Sequence, residues 1–152
     1  MPLPATLATI PRASQPLPWL ITAGQPSAEQ FGAAQAAGIS TVIDIRDPME
    51  ARPFDEAALV PSLGMQYINI PVVAGSLSDQ IMDQLLVAMR ANQGRSTMLH
   101  CASANRTGAP LLAYLMLDEG LTEQDAVEAA LRTGLSSVEM MEWGVAYVRR
   151  AR

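Results

Sequence analysis

The sequence predicts an α/β fold in which a central, mostly parallel sheet of four or five strands is flanked by helices, with an all-helical C-terminal third. Over the first two thirds of the chain, short β-branched or apolar runs alternate with segments of helical periodicity. Residues 121–150 carry helix caps and a helical period with no further strand. With 152 residues, 49% of them apolar, the chain is sized for one compact domain with a sizeable core.

Capping residues and turn residues mark where each element begins and ends. Ser27 and Gln30 are expected to form a capping box. Thr122 is expected to cap one of the C-terminal helices, and Ser136, together with Glu139, is expected to cap the last helix. The predicted strands cover residues 19–22, 41–45, 66–70 and 97–100. The predicted helices cover residues 27–37, 54–63, 79–92, 107–118, 123–132 and 137–150.

The amino-acid composition limits the kinds of binding partner and the cellular compartment that we expect. The net charge is −5, which disfavours general attraction to nucleic acid or membrane, and all ten basic residues are arginine, which rules out lysine chemistry. One cysteine cannot form an internal disulfide, and no segment is long and apolar enough to span a bilayer. We therefore expect a cytoplasmic protein, although a signal removed ahead of residue 1 would leave the same chain.

Domain organisation follows from the distribution of prolines. Residues 1–18 are proline-rich and aperiodic, which predicts an N-terminal arm that either lies on the domain or stays loose. Residues 19–152 contain no linker or internal repeat and are expected to form a single catalytic domain.

The segment HCASANRTG joins the strand at 97–100 to a helix, and we predict the active site there. Consecutive N–H groups at a helix N-terminus form a cradle for an anion. At its base, Cys101 would be a thiolate nucleophile, and Arg106 could bind two oxygens of an oxyanion. His100 is expected to support the loop, and Thr107 to donate its hydroxyl to the sulfur. The loop residues expected to donate N–H groups are Ala102, Ser103, Ala104, Asn105 and Arg106.

Less specific interpretations remain open at this stage. Cys101 could be an inert buried cysteine, with Arg106 in a surface ion pair. Asp44 is expected to bond loop amides, and Arg46 and Arg52 to be solvated. One histidine beside one cysteine is too few ligands for zinc, so we predict no metal and no cofactor.

The sequence His100-Cys101-x4-Arg106-Thr107 at a strand-to-helix turn resembles the signature loop of the protein tyrosine phosphatase-like superfamily. The stretches GQPSAEQFGAAQAAGISTVIDIR and YINIPV are similar to its bacterial beta-lactamase hydrolase-like branch, DUF442. The resemblance covers roughly residues 19–115. It implies Cys101 as the nucleophile, Arg106 as the oxyanion ligand and residues 102–106 as N–H donors.

Two departures from the superfamily pattern direct the prediction of activity. Four residues separate Cys101 from Arg106, where phosphatases have five and single-domain rhodaneses have four. The general-acid Asp of phosphatases is missing from residues 70–75, and Asp79 is expected to stabilise a helix start instead. Family loops also often have Gly at the position of Ala104. A true rhodanese fold is disfavoured because no strand follows the active-site helix.

We therefore predict a cysteine-dependent sulfurtransferase, of thiosulfate sulfurtransferase type, that works through a Cys101 persulfide. The expected partners are a small oxyanion or sulfane-sulfur substrate and a thiol or cyanide acceptor. Two alternatives stay open: a tyrosine or dual-specificity-type phosphatase acting through a phosphocysteine, and an inactive oxyanion-binding module.

Overall fold

The computed structural model of the protein describes residues 3–152. The strands are β1 (Ser14–Leu17), β2 (Leu20–Ala23), β3 (Thr41–Asp44), β4 (Gln66–Asn69) and β5 (Thr97–His100). They form one sheet in the order β1-β2-β5-β3-β4, in which only β1 runs antiparallel to its neighbour. The predicted mostly parallel α/β sheet is confirmed.

Helices cover both faces of the sheet. They are α1 (Ala28–Ala36), α2 (Glu56–Ser62), α3 (Asp79–Ala91), α4 (Gly108–Leu117), α5 (Glu123–Thr133) and α6 (Val138–Ala151). One apolar core packs α3 to α6 against Ile43 and Leu99, and the other packs α1 and α2 against Val42 and Met98. Because successive strand residues point to opposite faces, the two cores are separated by the sheet. The all-helical C-terminal third is confirmed.

The N-terminal segment packs on the domain. Residues 14–17, inside the predicted arm, form β1, which sequence patterns did not predict because Pro16 and a run of only four residues give no strand signal. Leu7 and Ile10 are buried in the core beneath α1. Met1 and Pro2 of the arm lie outside the described residues, and the division into an arm and one catalytic domain stays a prediction.

Four helix starts differ from those predicted, and those of α1 and α4 each lie one residue later than expected. α6 is capped by Ser137, whose side chain accepts the N–H of Met140, and not by Ser136. α2 begins at Glu56, with Asp55 accepting the N–H of Ala58. Each difference is a shift of one or two residues, within the range by which helix ends vary.

The parallel register brings the carboxyl ends of the strands to one edge of the sheet. Asp44 of β3 and Ala23 of β2 both pair with His100 of β5, and Asn69 of β4 pairs with Asp44. Ligands bind at this edge in open α/β sheets.

Within residues 3–152, no helix has both the length and the apolar character that crossing a bilayer requires.

Candidate active site

The loop of residues 101–107 leaves the carboxyl end of β5 and enters α4. Cys101 is completely buried at its start, where its N–H donates to the carbonyl of Ala23 at 3.2 Å. Ala102 and Ser103 are exposed, and Asn105 and Arg106 are half-buried. The predicted site residues are therefore brought together around one buried thiol.

Several consecutive N–H groups of the loop are free to bind a ligand. Among residues 3–152, no hydrogen-bond acceptor faces the N–H groups of the following loop residues: Ala102, Ser103, Asn105, Arg106 and Thr107. An unsatisfied row of N–H donors at the start of a buried helix is favourable for an anion.

The short loop closes through a residue in a left-handed conformation. Ala104 has φ +65°, a region that glycine adopts more easily than alanine. The hydroxyl of Thr107 donates to the carbonyl of Ala104 at 3.1 Å, so the prediction that it donates to the sulfur of Cys101 is wrong. Gly134 lies against Ala104, since a Cβ added at Gly134 would be 3.1 Å from the Ala104 Cβ. These contacts hold the loop in a conformation that alanine adopts only at a cost of about 1 to 3 kcal/mol.

Arg106 is fixed by Glu50, a residue that sequence reasoning did not identify. Nη1 donates to Oε2 of Glu50 at 2.6 Å and to the carbonyl of Val72 at 3.1 Å, and Nη2 donates to Oε1 of Glu50 at 2.9 Å. These hydrogen bonds raise the pKa of Arg106 against the effect of burial, and the side chain of Cys101 adds to the increase. The guanidinium is therefore held by Glu50 and Val72 and is close enough to Cys101 to interact with its side chain.

A short turn after β3 holds Glu50 in place. The N–H of Asp47 donates to Oε2 of Glu50 at 2.7 Å, and Nε of Arg46 donates to Oε1 at 3.3 Å. The hydrogen bond from Arg106 is the main cause that lowers the pKa of Glu50 to about 2, with burial opposing it. Glu50 is ionised at neutral pH, so it is a fixed partner for the arginine and not a proton donor.

His100 is the last residue of β5 and is completely buried, and its role in supporting the loop stays a prediction. Its Nδ1 lies 3.2 Å from the carbonyl oxygen of Cys101, and its Nε2 lies 2.6 Å from Oε2 of Glu56. Glu56 is itself buried, and its other oxygen accepts from Gln25 at 2.8 Å. No sequence pattern singled out Glu56, which comes from a helix start 44 residues earlier.

Asp44 connects this histidine to two further side chains. Its carboxylate accepts from Arg52 at 2.6 Å, from the Tyr67 hydroxyl at 2.7 Å and from the N–H of Arg46 at 2.9 Å. Burial acts to raise the pKa of Asp44, but the charge of His100 and these hydrogen bonds lower it. The last bond is the predicted contact with a loop amide.

The prediction that Arg46 and Arg52 are solvated is wrong. Their side chains are 9% and 17% exposed, respectively. Arg46 donates to Gln25, Glu50 and the Ala51 carbonyl. Most of these partners lie within eight residues of each arginine, on the irregular segment between β3 and α2 or at its ends, and helical or strand periodicity does not describe such a segment.

Asp44, Glu56 and His100 are the one group within residues 3–152 whose ligand atoms lie close enough for a metal ion, within 4.8 Å of one another. These side chains instead bond to each other and to Arg52, which already neutralises Asp44 at 2.6 Å. The donor set does not favour a metal, and the absence of a metal and of a cofactor stays a prediction.

Asn105 links the loop to the C-terminal helices. Its side-chain Oδ1 accepts the N–H groups of Ser136 and Ser137 at 2.8 and 3.0 Å, immediately before α6. On the other side of the loop, the N–H of Gln25 donates to the carbonyl of Ala102 at 3.0 Å. The loop is therefore fixed on both sides.

The segment after β4 reaches the site without a carboxylate. Val72 touches Arg106, but residues 70–78 contain no Asp or Glu. Asp79 is the first residue of α3, as predicted, and both its oxygens accept from Arg150 on α6. That hydrogen bonding lowers the pKa of Asp79, so this carboxylate is ionised at neutral pH.

Known phosphatases share this fold over most of the chain. A DUF442 protein of Shewanella putrefaciens, named as a candidate phosphatase, superposes with a TM-score of 0.81 at 23% identity, covering 95% of this chain and 96% of that one. Tk-PTP in its active form superposes with a TM-score of 0.78 at 18% identity, covering 92% and 98%. A TpbA variant from P. aeruginosa in complex with pTyr superposes with a TM-score of 0.73 at 20% identity, covering 98% and 87%.

In sequence, the dual specificity protein phosphatase TpbA of Pseudomonas aeruginosa is 26% identical over 137 residues, which is 88% of this chain. The chain spans about 60% of the length of that relative. No family model matches the chain. The chain has the protein tyrosine phosphatase-like fold, as the sequence resemblance predicted, and the assignment to the DUF442 branch stays a prediction.

The prediction of sulfur transfer through a Cys101 persulfide, and of a thiosulfate sulfurtransferase, is wrong. The proteins named above, which share the fold almost from end to end, are phosphatases by name. The prediction relied on the four-residue spacing and the missing acid. The structure shows a shorter loop that closes through Ala104 and still places Arg106 beside Cys101, so the spacing alone does not select sulfur chemistry.

Proposed function

We propose that this protein is a cysteine-dependent phosphatase that hydrolyses phosphate monoesters through a phosphocysteine at Cys101. The observation that carries the proposal is the row of free N–H groups around a buried thiol that lies beside Arg106. A phosphoryl group has oxygens for those donors and a phosphorus atom for the sulfur to attack.

Arg106 keeps two donors available for the substrate. An arginine side chain carries N–H groups on Nε, Nη1 and Nη2. Glu50 and Val72 use both hydrogens of Nη1 and one of Nη2. The remaining N–H groups, on Nη2 and Nε, lie side by side and form a fork that fits two oxygens of a phosphoryl group.

The charges around the loop also favour an anion. Arg46 and Arg106 share the single carboxylate of Glu50, which leaves one positive charge uncompensated within this group. A thiolate at Cys101 or a bound phosphate would balance it. Charge that is already in place when the substrate binds is the largest contribution to many enzymatic rates.

The reaction follows in two steps. The Cys101 thiolate attacks phosphorus, the S–P bond forms, and the ester oxygen leaves with the bonding electron pair. Water then attacks the phosphocysteine, which releases inorganic phosphate and restores the thiolate. Arg106 and the loop N–H groups hold the phosphoryl oxygens through both steps.

Phosphorylated protein side chains are the substrate class we propose. TpbA is a dual specificity protein phosphatase, and a variant of it was crystallised with pTyr. The proposed pocket has its nucleophile completely buried at the base of the loop, so the phosphate must enter ahead of the group that carries it.

The test is hydrolysis of an aryl phosphate by the purified protein, with the Cys101→Ser variant and the matched carboxylate-to-amide variant Glu29→Gln as comparisons. We expect phosphate release from wild type and Glu29→Gln, no release from Cys101→Ser, and a phosphorylated wild-type chain in acid-quenched samples by mass spectrometry. Turnover retained in Cys101→Ser would overturn the covalent mechanism. Binding of vanadate without any hydrolysis would favour an inactive oxyanion-binding module.

A further inference from the structure

The cluster beneath the active-site loop contains five charged or titratable side chains. His100 faces Glu56 of α2 at 2.6 Å and Asp44 of β3 at 3.9 Å. Arg52, from the segment before α2, lies 2.6 Å from Asp44 and 3.6 Å from Glu56. Tyr67 of β4 donates to Asp44, and the ring of Phe31 of α1, which carries no charge, packs against His100.

The hydrogen bonds of the imidazole define its charge. Nδ1 faces the carbonyl of Cys101 and Nε2 faces the carboxylate of Glu56. A carbonyl and an ionised carboxylate only accept hydrogen bonds, so both ring nitrogens must carry a proton to satisfy them. With Glu56 ionised, His100 is an imidazolium.

The charge balance of the cluster is compatible with the same protonation state. The two carboxylates, Asp44 and Glu56, are 0% and 1% exposed. Arg52 neutralises only one of them. Unpaired buried charges are strongly unfavourable, and a protonated His100 supplies the missing positive charge.

We propose that Glu56 is a positioning residue that keeps His100 protonated beneath the loop and thereby favours the thiolate form of Cys101. The charged ring donates to the carbonyl of Cys101 itself, so its positive charge lies beside the nucleophile's own backbone. Gln25 donates to the second oxygen of Glu56 and accepts from Arg46, which joins this cluster to the group formed by Arg46, Glu50 and Arg106.

The proposal rests on the proposed function only in taking Cys101 as the nucleophile, and it can be tested without turnover. Cys101 is the only cysteine, so the ultraviolet absorbance of the thiolate, measured against pH with Cys101→Ser as the blank, reports this thiol alone. In Glu56→Gln the carboxylate that holds the second ring proton is lost. The midpoint of thiolate formation should rise by about one pH unit.

Three further variants separate this role from a general structural one. Glu56→Asp keeps the charge and should titrate between wild type and Glu56→Gln, and it carries the test if the glutamine variant does not fold. His100→Asn should raise the midpoint, and adding Glu56→Gln to it should cause no further increase, because both changes remove the same charge. Glu29→Gln, the same chemical change on the exposed start of α1, should titrate as wild type.

Two results would overturn the proposal. The first is that Glu56→Gln and Glu56→Asp both titrate as wild type. The second is that the shifts caused by Glu56→Gln and by His100→Asn are additive in the double variant. If the thiolate titrations behave as expected and no phosphate ester is hydrolysed, the proposed function fails while the role of Glu56 stands. If phosphate esters are hydrolysed but the thiolate titrations of the variants match wild type, the role of Glu56 fails while the proposed function stands.

Discussion

Glu50 and Arg106 are 56 residues apart in sequence, yet two hydrogen bonds of 2.6 and 2.9 Å join both terminal nitrogens of the arginine to the carboxylate. The turn that carries Glu50 follows β3, and the loop that carries Arg106 follows the neighbouring strand β5. The orientation of the proposed oxyanion ligand is therefore set by the adjacent strand end and not by its own loop alone.

Replacing Glu50 by Gln should weaken the site without removing its charge. The guanidinium would lose a charged partner on both nitrogens, and hydrogen bonds to charged groups contribute about 1.5 to 3 kcal/mol, which corresponds to a loss of about 10- to 100-fold in kcat/KM for an aryl phosphate. The measurement is steady-state kinetics beside Glu29→Gln, which should match wild type. An unchanged kcat/KM in Glu50→Gln would show that the ion pair does not position Arg106 for the reaction.

The lowered pKa of Glu50 predicts how the stability of the folded protein depends on pH. Pairing lowers the pKa of Glu50 from its ordinary value of 4.5 to about 2 in the folded state. A depressed carboxyl pKa contributes stability above the unfolded value, and this contribution is lost as the pH falls toward the folded value. The Tm difference between wild type and Glu50→Gln should therefore be largest near neutral pH and narrow below 4.5. Thermal unfolding followed by circular dichroism measures it, and a gap that stays constant down to acid pH contradicts the assignment.

Arg106→Lys should show whether phosphate binding depends on the positive charge of residue 106 or on the two parallel N–H groups of the arginine. Lysine keeps the positive charge beside Cys101 but has a single ammonium in place of the planar fork. We expect vanadate and phosphate to bind at least about 10-fold more weakly, as the loss of one charged hydrogen bond implies. Thiolate formation at Cys101, followed by absorbance, should change much less. Vanadate binding equal to that of wild type would remove Arg106 as the oxyanion ligand.

Local sequence signals predicted most of the fold and the centre of the site. Cap residues and β-branched runs indicated the six helices and four of the strands, and the strand-loop-helix context of Cys101 placed Cys101 and Arg106 in one loop. Glu50 and Glu56 could not be found in this way, because their partners are 56 and 44 residues away and no local periodicity records such contacts. The burial of Arg46 and Arg52 was missed for a different reason: their partners are mostly close in sequence, but they lie on an irregular segment that has no helical or strand period.

Gly134 should matter for activity although it lies outside the loop. A methyl group added there would meet the Cβ and the carbonyl oxygen of Ala104 at 3.1 Å, and the backbone has φ +124°. Gly120 has φ +73° with nothing near an added methyl, so Gly120→Ala carries the backbone strain without the contact. Both variants should lose about 1 kcal/mol of unfolding free energy. Only Gly134→Ala should also lower kcat/KM for an aryl phosphate, and equal activity in the two would show that Ala104 does not transmit this contact to the site.

The absence of a carboxylate from residues 70–78 predicts how rates depend on the leaving group. Glu50 is ionised and paired with Arg106, and Asp79 is bound by Arg150, so neither carboxylate is placed to protonate the departing oxygen. That oxygen must then leave with its full negative charge, and a general acid typically contributes about 10²- to 10⁴-fold. Across a series of aryl phosphates, kcat/KM should fall steeply as the phenol becomes less acidic, and Asp79→Asn should follow the same line. A shallow series that becomes steep in Asp79→Asn would instead show that Asp79 leaves Arg150 and acts as the acid.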